Sequence, residues 1–145
     1  MSPAATTVGF IRDPRVSVGM KRTVSTDDAP AAVGAYSQAT TNGDLIVTAG
    51  QLPLTVDGEL LDGEPVAEQT RQCLENVAAI LASEGASLDD VLKTTVFLDD
   101  IDDFDAFNEA YGEFFDEAPP ARSAVEAGAV PKGAAVEIEA IATTE

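Results

Sequence analysis

The sequence predicts a single α+β domain whose helices pack on one face of a mixed sheet and leave the other face bare. Three observations carry that expectation. The chain has 145 residues, 45% of them hydrophobic, which suits one core and leaves too little for two. Its apolar residues switch between period two and period 3.6 in the order β-β-α-β-α-β-β. The final strand alternates valine and isoleucine with glutamate, so its two faces differ in chemistry.

Residues 1–21 read as an N-terminal extension and 22–145 as the domain. Scattered Pro and Gly without a period precede Met20-Lys21-Arg22, Met20 reads as an alternative start, and no function is placed there. From Ala35 to Leu54 the chain reads as two strands. Asn42-Gly43 is a two-residue hairpin signal, because both positions tolerate positive φ. Leu45-Ile46-Val47 is a buried run ended by Gly50, and Asp57-Gly58 marks a turn. Pro65 to Glu84 reads as a helix with Val66, Thr70, Cys73, Leu74, Val77, Ile80 and Leu81 on one face and Gly85 as its stop. Cys73 on that face reads as a packed thiol.

Val91–Leu98 reads as a strand, rich in Thr and Val. Asp102 or Asp103 is expected to cap a second helix, along which Phe104, Phe107, Tyr111, Phe114 and Phe115 form a core stripe. Asn108 lies off that stripe, as a surface residue or as a polar group facing a cleft. Pro119-Pro120 stops the helix. Arg122–Ala129 and Ala134–Ala142 read as two strands joined by a Pro131-Lys132-Gly133 turn. On the last, Val136, Ile138 and Ala140 point one way and Glu137, Glu139 and Ile141 the other. The acidic face is either open to solvent or covered by another subunit, which would leave a carboxylate in a partly dry crevice.

Charge and missing residue types narrow the chemistry. With 26 acidic residues against 8 basic ones, the formal net charge is −18. Such a surface repels nucleic-acid phosphates and anionic lipids, so neither nucleic acid nor membrane is an expected partner. The acidic residues are either a plain solvated coat or an adaptation to multimolar salt, where the Debye length falls to about 3 Å. No run of 18 or more apolar residues occurs and the first twenty residues lack a secretory apolar core, so the cytosol is the expected compartment. The absence of histidine excludes Ser-His-Asp and Cys-His devices and His-ligated metal sites. One cysteine allows no intrachain disulfide, and neither nucleotide fingerprint is present. Carboxylates, Arg, Tyr, hydroxyls and backbone groups must carry any reaction. Arg122, entering a strand, is either a surface ion-pair partner or a fork for a ligand carboxylate.

Three separated blocks shift the reading of Arg122 towards the ligand fork. The first is Ala29-Pro-Ala-Ala-Val-Gly-Ala-Tyr-Ser-Gln-Ala39, and the second is Thr48-Ala-Gly-Gln-Leu-Pro53 with Lys93-Thr-Thr-Val-Phe97 further on. The third runs from Pro120-Ala-Arg-Ser123 through Pro131-Lys-Gly133 to Val136-Glu-Ile-Glu-Ala-Ile-Ala142. In order and spacing they resemble the reactive intermediate deaminase (Rid/YjgF) family over residues 22–142. The resemblance implies chorismate-mutase-like subunits in a homotrimer, sheets facing inward, with a site in each cleft between neighbours. It implies RidA-like hydrolysis of 2-imino or enamine acids to 2-keto acids and ammonia, without metal or cofactor. Position by position, Arg122 matches the carboxylate-binding arginine, Glu137 the water-holding glutamate, Tyr36 the site tyrosine, Asn108 the site asparagine and Gly50 the glycine lining the pocket. The chain departs from the family where Ala124 replaces a frequent cysteine, Ala49 a frequent serine and Ala35 a proline. A trimeric small-carboxylate sensor is the alternative from another class. It would use Arg122 without needing Glu137. A ribonuclease reading conflicts with the charge and the missing histidine.

Overall fold

The computed structural model describes residues 19–115 and 117–144. Among the described residues, six strands and two α-helices follow in the order β1 (Arg22–Val24), β2 (Ala39–Thr41), β3 (Leu45–Thr48), α1 (Val66–Ala82), β4 (Val91–Leu98), α2 (Phe104–Gly112), β5 (Ala121–Glu126) and β6 (Val136–Thr143). They form one sheet in the order β1-β2-β3-β6-β4-β5, antiparallel except for the β4–β5 pair. The α+β class stands, with one strand more than the sequence pattern showed. β1 has only three residues, too few for a period, and is recognisable only by its pairing of Val24 with Ala39. Of the expected extension 1–21, residues 1–18 lie outside the described residues.

The hairpin expected at Asn42-Gly43 forms one residue further on: Thr41 pairs with Ile46, so Gly43 and Asp44 make the turn, and of the expected pair only Gly43 takes positive φ. Gly43 takes φ +95°, and the Asn42 side chain accepts from the backbone of Asp44 and Leu45 at 2.9 Å. β5 and β6 do not pair with each other, although a turn with positive φ at Lys132 and Gly133 joins them. β4 lies between them, parallel to β5 and antiparallel to β6. A pattern of two successive strands resembles a hairpin. Here the nine residues 127–135 instead carry the chain across β4.

Both helices cover the same sheet face. α1 buries Thr70, Cys73, Leu74, Val77, Ile80 and Leu81, as its period requires, and also Gln69 and Asn76. Those two amides are satisfied, as burial demands, by backbone and, at Asn76 Oδ1, by the Gln72 side chain. Gln69 donates to Glu64 O at 2.9 Å and accepts from Ala135 N–H at 2.8 Å, while Asn76 donates to Leu54 O at 2.9 Å. The segments flanking the sheet are therefore tied to α1. Cys73 is fully buried, its Sγ 3.7 Å from Val136 O, and burial pushes its thiol well up. It is the packed thiol expected.

The second helix corrects its expected start. Asp100, not Asp102 or Asp103, makes the side-chain cap: it accepts from Asp102 N–H and opens a 3-10 turn that leads into α2. α2 ends at Gly112, ahead of Phe114 and Phe115, yet the aromatic stripe packs as a core. Ring centroids lie 5.9 Å apart for Phe104–Phe107, 5.3 Å for Phe107–Tyr111 and 4.7 Å for Tyr111–Phe115. None of the described helices is long and apolar enough to cross a membrane.

Among the described residues no helix lies on the opposite sheet face. Leu45 and Val47 on β3 and Val125 on β5 are exposed there, beside Glu137, Glu139 and Ile141 of β6. The split of β6 is as expected: Val136, Ile138, Ala140 and Ala142 are buried, and the residues between them are half-buried.

Candidate active site

The site residues expected from sequence fall into two groups on opposite faces of the sheet. Strand register decides this. Thr94 lies beside Arg122 on one side and Ala140 on the other, and both Thr94 and Ala140 are buried under the helices. Arg122 therefore projects to the helix side, at the outer edge of the sheet. Phe97 lies between Val125 and Glu137, so Glu137 projects to the bare face.

On the helix side, the Arg122 guanidinium lies over three rings, 4.8 Å from the Tyr111 centroid, 5.4 Å from Phe104 and 5.6 Å from Phe107. Its Nη1 donates to Asn108 Oδ1 at 2.7 Å. Asn108 is exposed, and it lines the hollow beside Arg122. Beneath them, the Tyr111 hydroxyl and Thr94 Oγ1 are 2.7 Å apart in the core. Burial pushes the Tyr111 phenol up, with the Thr94 hydrogen bond and the Arg122 charge pulling the other way. A hollow of about 370 Å³ opens here, lined by Asn108, Tyr111, Phe115, Pro120 and Arg122. Among the described residues, no carboxylate pairs with Arg122. Arg22 pairs with Glu84, and Arg71 with Glu68 and Glu113.

On the bare face, Gly50 and Glu137 touch. Gln51 N–H donates to Ile138 O at 2.7 Å and accepts back from Ile138 N–H through its own carbonyl at 3.1 Å. That bridge lays the Gly50 backbone over the Glu137 side chain. A Cβ at Gly50 would sit 2.6 Å from Glu137 Oε2 and 2.8 Å from its Cδ, so glycine is the residue the carboxylate requires. Desolvation, and secondarily the charge of Glu139, push the Glu137 carboxyl above the usual carboxylate range. No described group donates a hydrogen bond to that carboxylate.

Tyr36 belongs to a third segment, the loop between β1 and β2. It is exposed, with its hydroxyl 3.4 Å from Val33 N–H. Buried Gln38 ties that loop down: its Nε2 donates to Thr26 O at 3.0 Å and Pro30 O at 2.8 Å, and its Oε1 accepts from Thr26 N–H at 2.6 Å. Sequence reasoning missed Gln38, Thr94 and Tyr111 as parts of the site. A tyrosine in a stripe otherwise made of phenylalanine was the available signal, because a buried hydroxyl needs a partner. Ala124 is half-buried against the aromatic cluster, and Ala49 is half-buried beside Gly50.

Fold and site together define a small α+β protein with Arg122 on one sheet face and a partly desolvated Glu137 on the other. Residues 26–144 match the profile described as endoribonuclease L-PSP. The chain belongs to that family, the Rid/YjgF/RutC family. A RutC family protein of Pyrococcus horikoshii is 48% identical over 127 residues, covering 87% of this chain and 100% of the relative. The Escherichia coli protein named 2-iminobutanoate/2-iminopropanoate deaminase is 44% identical over 126 residues, 85% of this chain and 98% of its own. The solved structure of E. coli TdcF with bound serine superposes with a TM-score of 0.80 at 40% identity, covering 84% of this chain and 98% of that one.

Proposed function

We propose that this chain hydrolyses short 2-imino and enamine acids to 2-keto acids and ammonia. Its sites are formed between subunits of a homotrimer. The observation that carries the reading is the separation of Arg122 from Glu137 across the sheet, each left without a described charge partner. One subunit cannot apply both to one small molecule. A neighbour whose bare sheet face meets the Arg122 edge can. The exposed apolar residues Leu45, Val47 and Val125 on that face are consistent with such a cover.

In this assembly Arg122, held by Asn108, grips the substrate carboxylate and fixes the imine carbon. Glu137, its carboxyl raised by desolvation, orients a water in its ionised form and takes its proton as oxygen attacks that carbon. The carbinolamine collapses when the proton is returned to nitrogen, releasing ammonia and leaving the ketone. Gly50 leaves room for the carboxylate and presents backbone to the substrate. Tyr36 supplies a hydroxyl at the rim. The E. coli relative's name matches this reaction. Ribonuclease chemistry fits poorly with a charge of −18 and no histidine.

The test is ammonia release from freshly generated 2-iminopropanoate. Wild-type protein should accelerate it, Arg122→Ala should abolish the acceleration, and Arg122→Lys should be badly impaired because a point charge cannot replace a planar fork. Carboxylate binding without any acceleration would instead identify a sensor.

A further inference from the structure

Arg122 is held by an unusual device for so acidic a chain: aromatic faces rather than a carboxylate. We propose that Tyr111, anchored by Thr94, is a positioning residue that sets the plane of the Arg122 guanidinium and so its selectivity for a carboxylate ligand. The inference rests on the reading of Arg122 as the carboxylate fork and deepens it.

Of the three rings under Arg122, Tyr111 is the nearest, at 4.8 Å, well inside the ~6 Å reach of a cation–π contact. Tyr111 is also the one ring with a polar tether. Its hydroxyl meets Oγ1 of Thr94, which is 1% exposed and stands beside Arg122 in the β4–β5 register. The ring is thereby fixed from α2 and from the strand that neighbours its cation. A stacked face resists tilting of the guanidinium. The Asn108 bond, taken by an N–H in the guanidinium plane, resists rotation within that plane. Together they define an orientation and use only one N–H. A carboxylate support would have consumed the fork and neutralised it. A ring face does neither, and the donors stay available for a ligand.

The prediction separates carboxylate recognition from general loosening. Inhibition constants are measured for 2-oxobutanoate and for its neutral amide on the assembled protein. Tyr111→Leu should weaken the acid about 2- to 30-fold, the span of a cation–π contact, and leave the amide unchanged. Tyr111→Phe keeps the face and loses the tether, so a smaller fall in the acid-to-amide ratio is expected. Equal weakening of acid and amide, or wild-type affinity for the acid in Tyr111→Leu, overturns the proposal. Where Tyr111→Leu does not fold, Tyr111→Phe decides: a lowered ratio supports the tether, and an unchanged ratio overturns it. A wild-type protein that fails to distinguish acid from amide, with Arg122→Ala equally indifferent, refutes the carboxylate fork itself and is a different result.

Discussion

Gly50→Ala isolates the geometry of Glu137 from the stability of the fold. Gly50 does not have positive φ, so its backbone accepts alanine without strain. The obstacle is the Glu137 side chain alone. The new Cβ would stand 2.6 Å from Oε2, 2.8 Å from Cδ and 3.0 Å from Cγ. Ordinary contact begins near 3.4 Å, so the carboxylate must retreat by roughly 0.8 Å or more. A flexible side-chain end does this at little energetic cost, and the buried core behind Val136 and Ile138 is untouched. Catalysis has no such tolerance: a displacement of about 1 Å in a water-holding group costs on the order of 100-fold. We therefore expect kcat/KM for 2-iminopropanoate to fall about 100-fold while the melting temperature and circular dichroism stay near wild type. Gly63→Ala, where an added Cβ meets nothing within 4 Å, is the control and should be silent. A Gly50→Ala protein with wild-type turnover would show that the Glu137 carboxylate does not hold the attacking water.

Further expectations concern pH, the thiol and salt. Since Glu137 must be ionised to accept a proton, activity should fail on acidification at a pH above the usual carboxylate range, and Glu139→Gln should move that limb down by removing a raising charge. Because its folded-state value is raised, the stability Glu137 contributes is full in acid and lost as pH rises through that value. Glu137→Gln should therefore be no less stable than wild type at neutral pH by thermal melting, although inactive. Cys73→Ser should leave turnover unchanged and cost about 1–3 kcal/mol in chemical denaturation, because a hydroxyl replaces a fully buried thiol. In a trimer, three copies of −18 give −54 formal charges, whose repulsion reaches roughly 10 Å at 0.1 M salt and about 3 Å at 1 M. Sedimentation and turnover followed together should both decline as salt is withdrawn. Equal assembly and activity at about 0.1 M salt would mean that the acidic coat is merely tolerated.

Long periodic elements were legible in the sequence and short or composite ones were not. The face of α1, the alternation of β6 and the hairpin around Gly43 each follow from a repeat or from a glycine that takes positive φ. β1 is too short to show a period, and the insertion of β4 between β5 and β6 depends on long-range pairing that no local pattern encodes. The α2 cap moved to Asp100 because a 3-10 turn precedes the helix, and a run of four acids within 99–103 offers several equivalent caps. For the candidate site, motif resemblance named residues but not their placement. Which face Arg122 occupies depends on its register against Thr94, and only that register reveals that Arg122 and Glu137 are divided by the sheet. The supports Thr94, Tyr111 and Gln38 were hidden because a buried polar side chain has the same spacing as its apolar neighbours.

That division makes subunit complementation the most direct measurement. Arg122→Ala and Glu137→Gln proteins should each be inactive on 2-iminopropanoate. Co-assembled from equal amounts, they should regain activity, because some sites draw an intact Arg122 from one subunit and an intact Glu137 from its neighbour. In a closed ring with one site per interface, random mixing makes about one site in four intact, one half times one half. Recovery near a quarter of wild-type turnover is the predicted result. Activity no greater than that of the two variants measured apart would place both groups in one subunit's site, or neither in any, and would contradict the account.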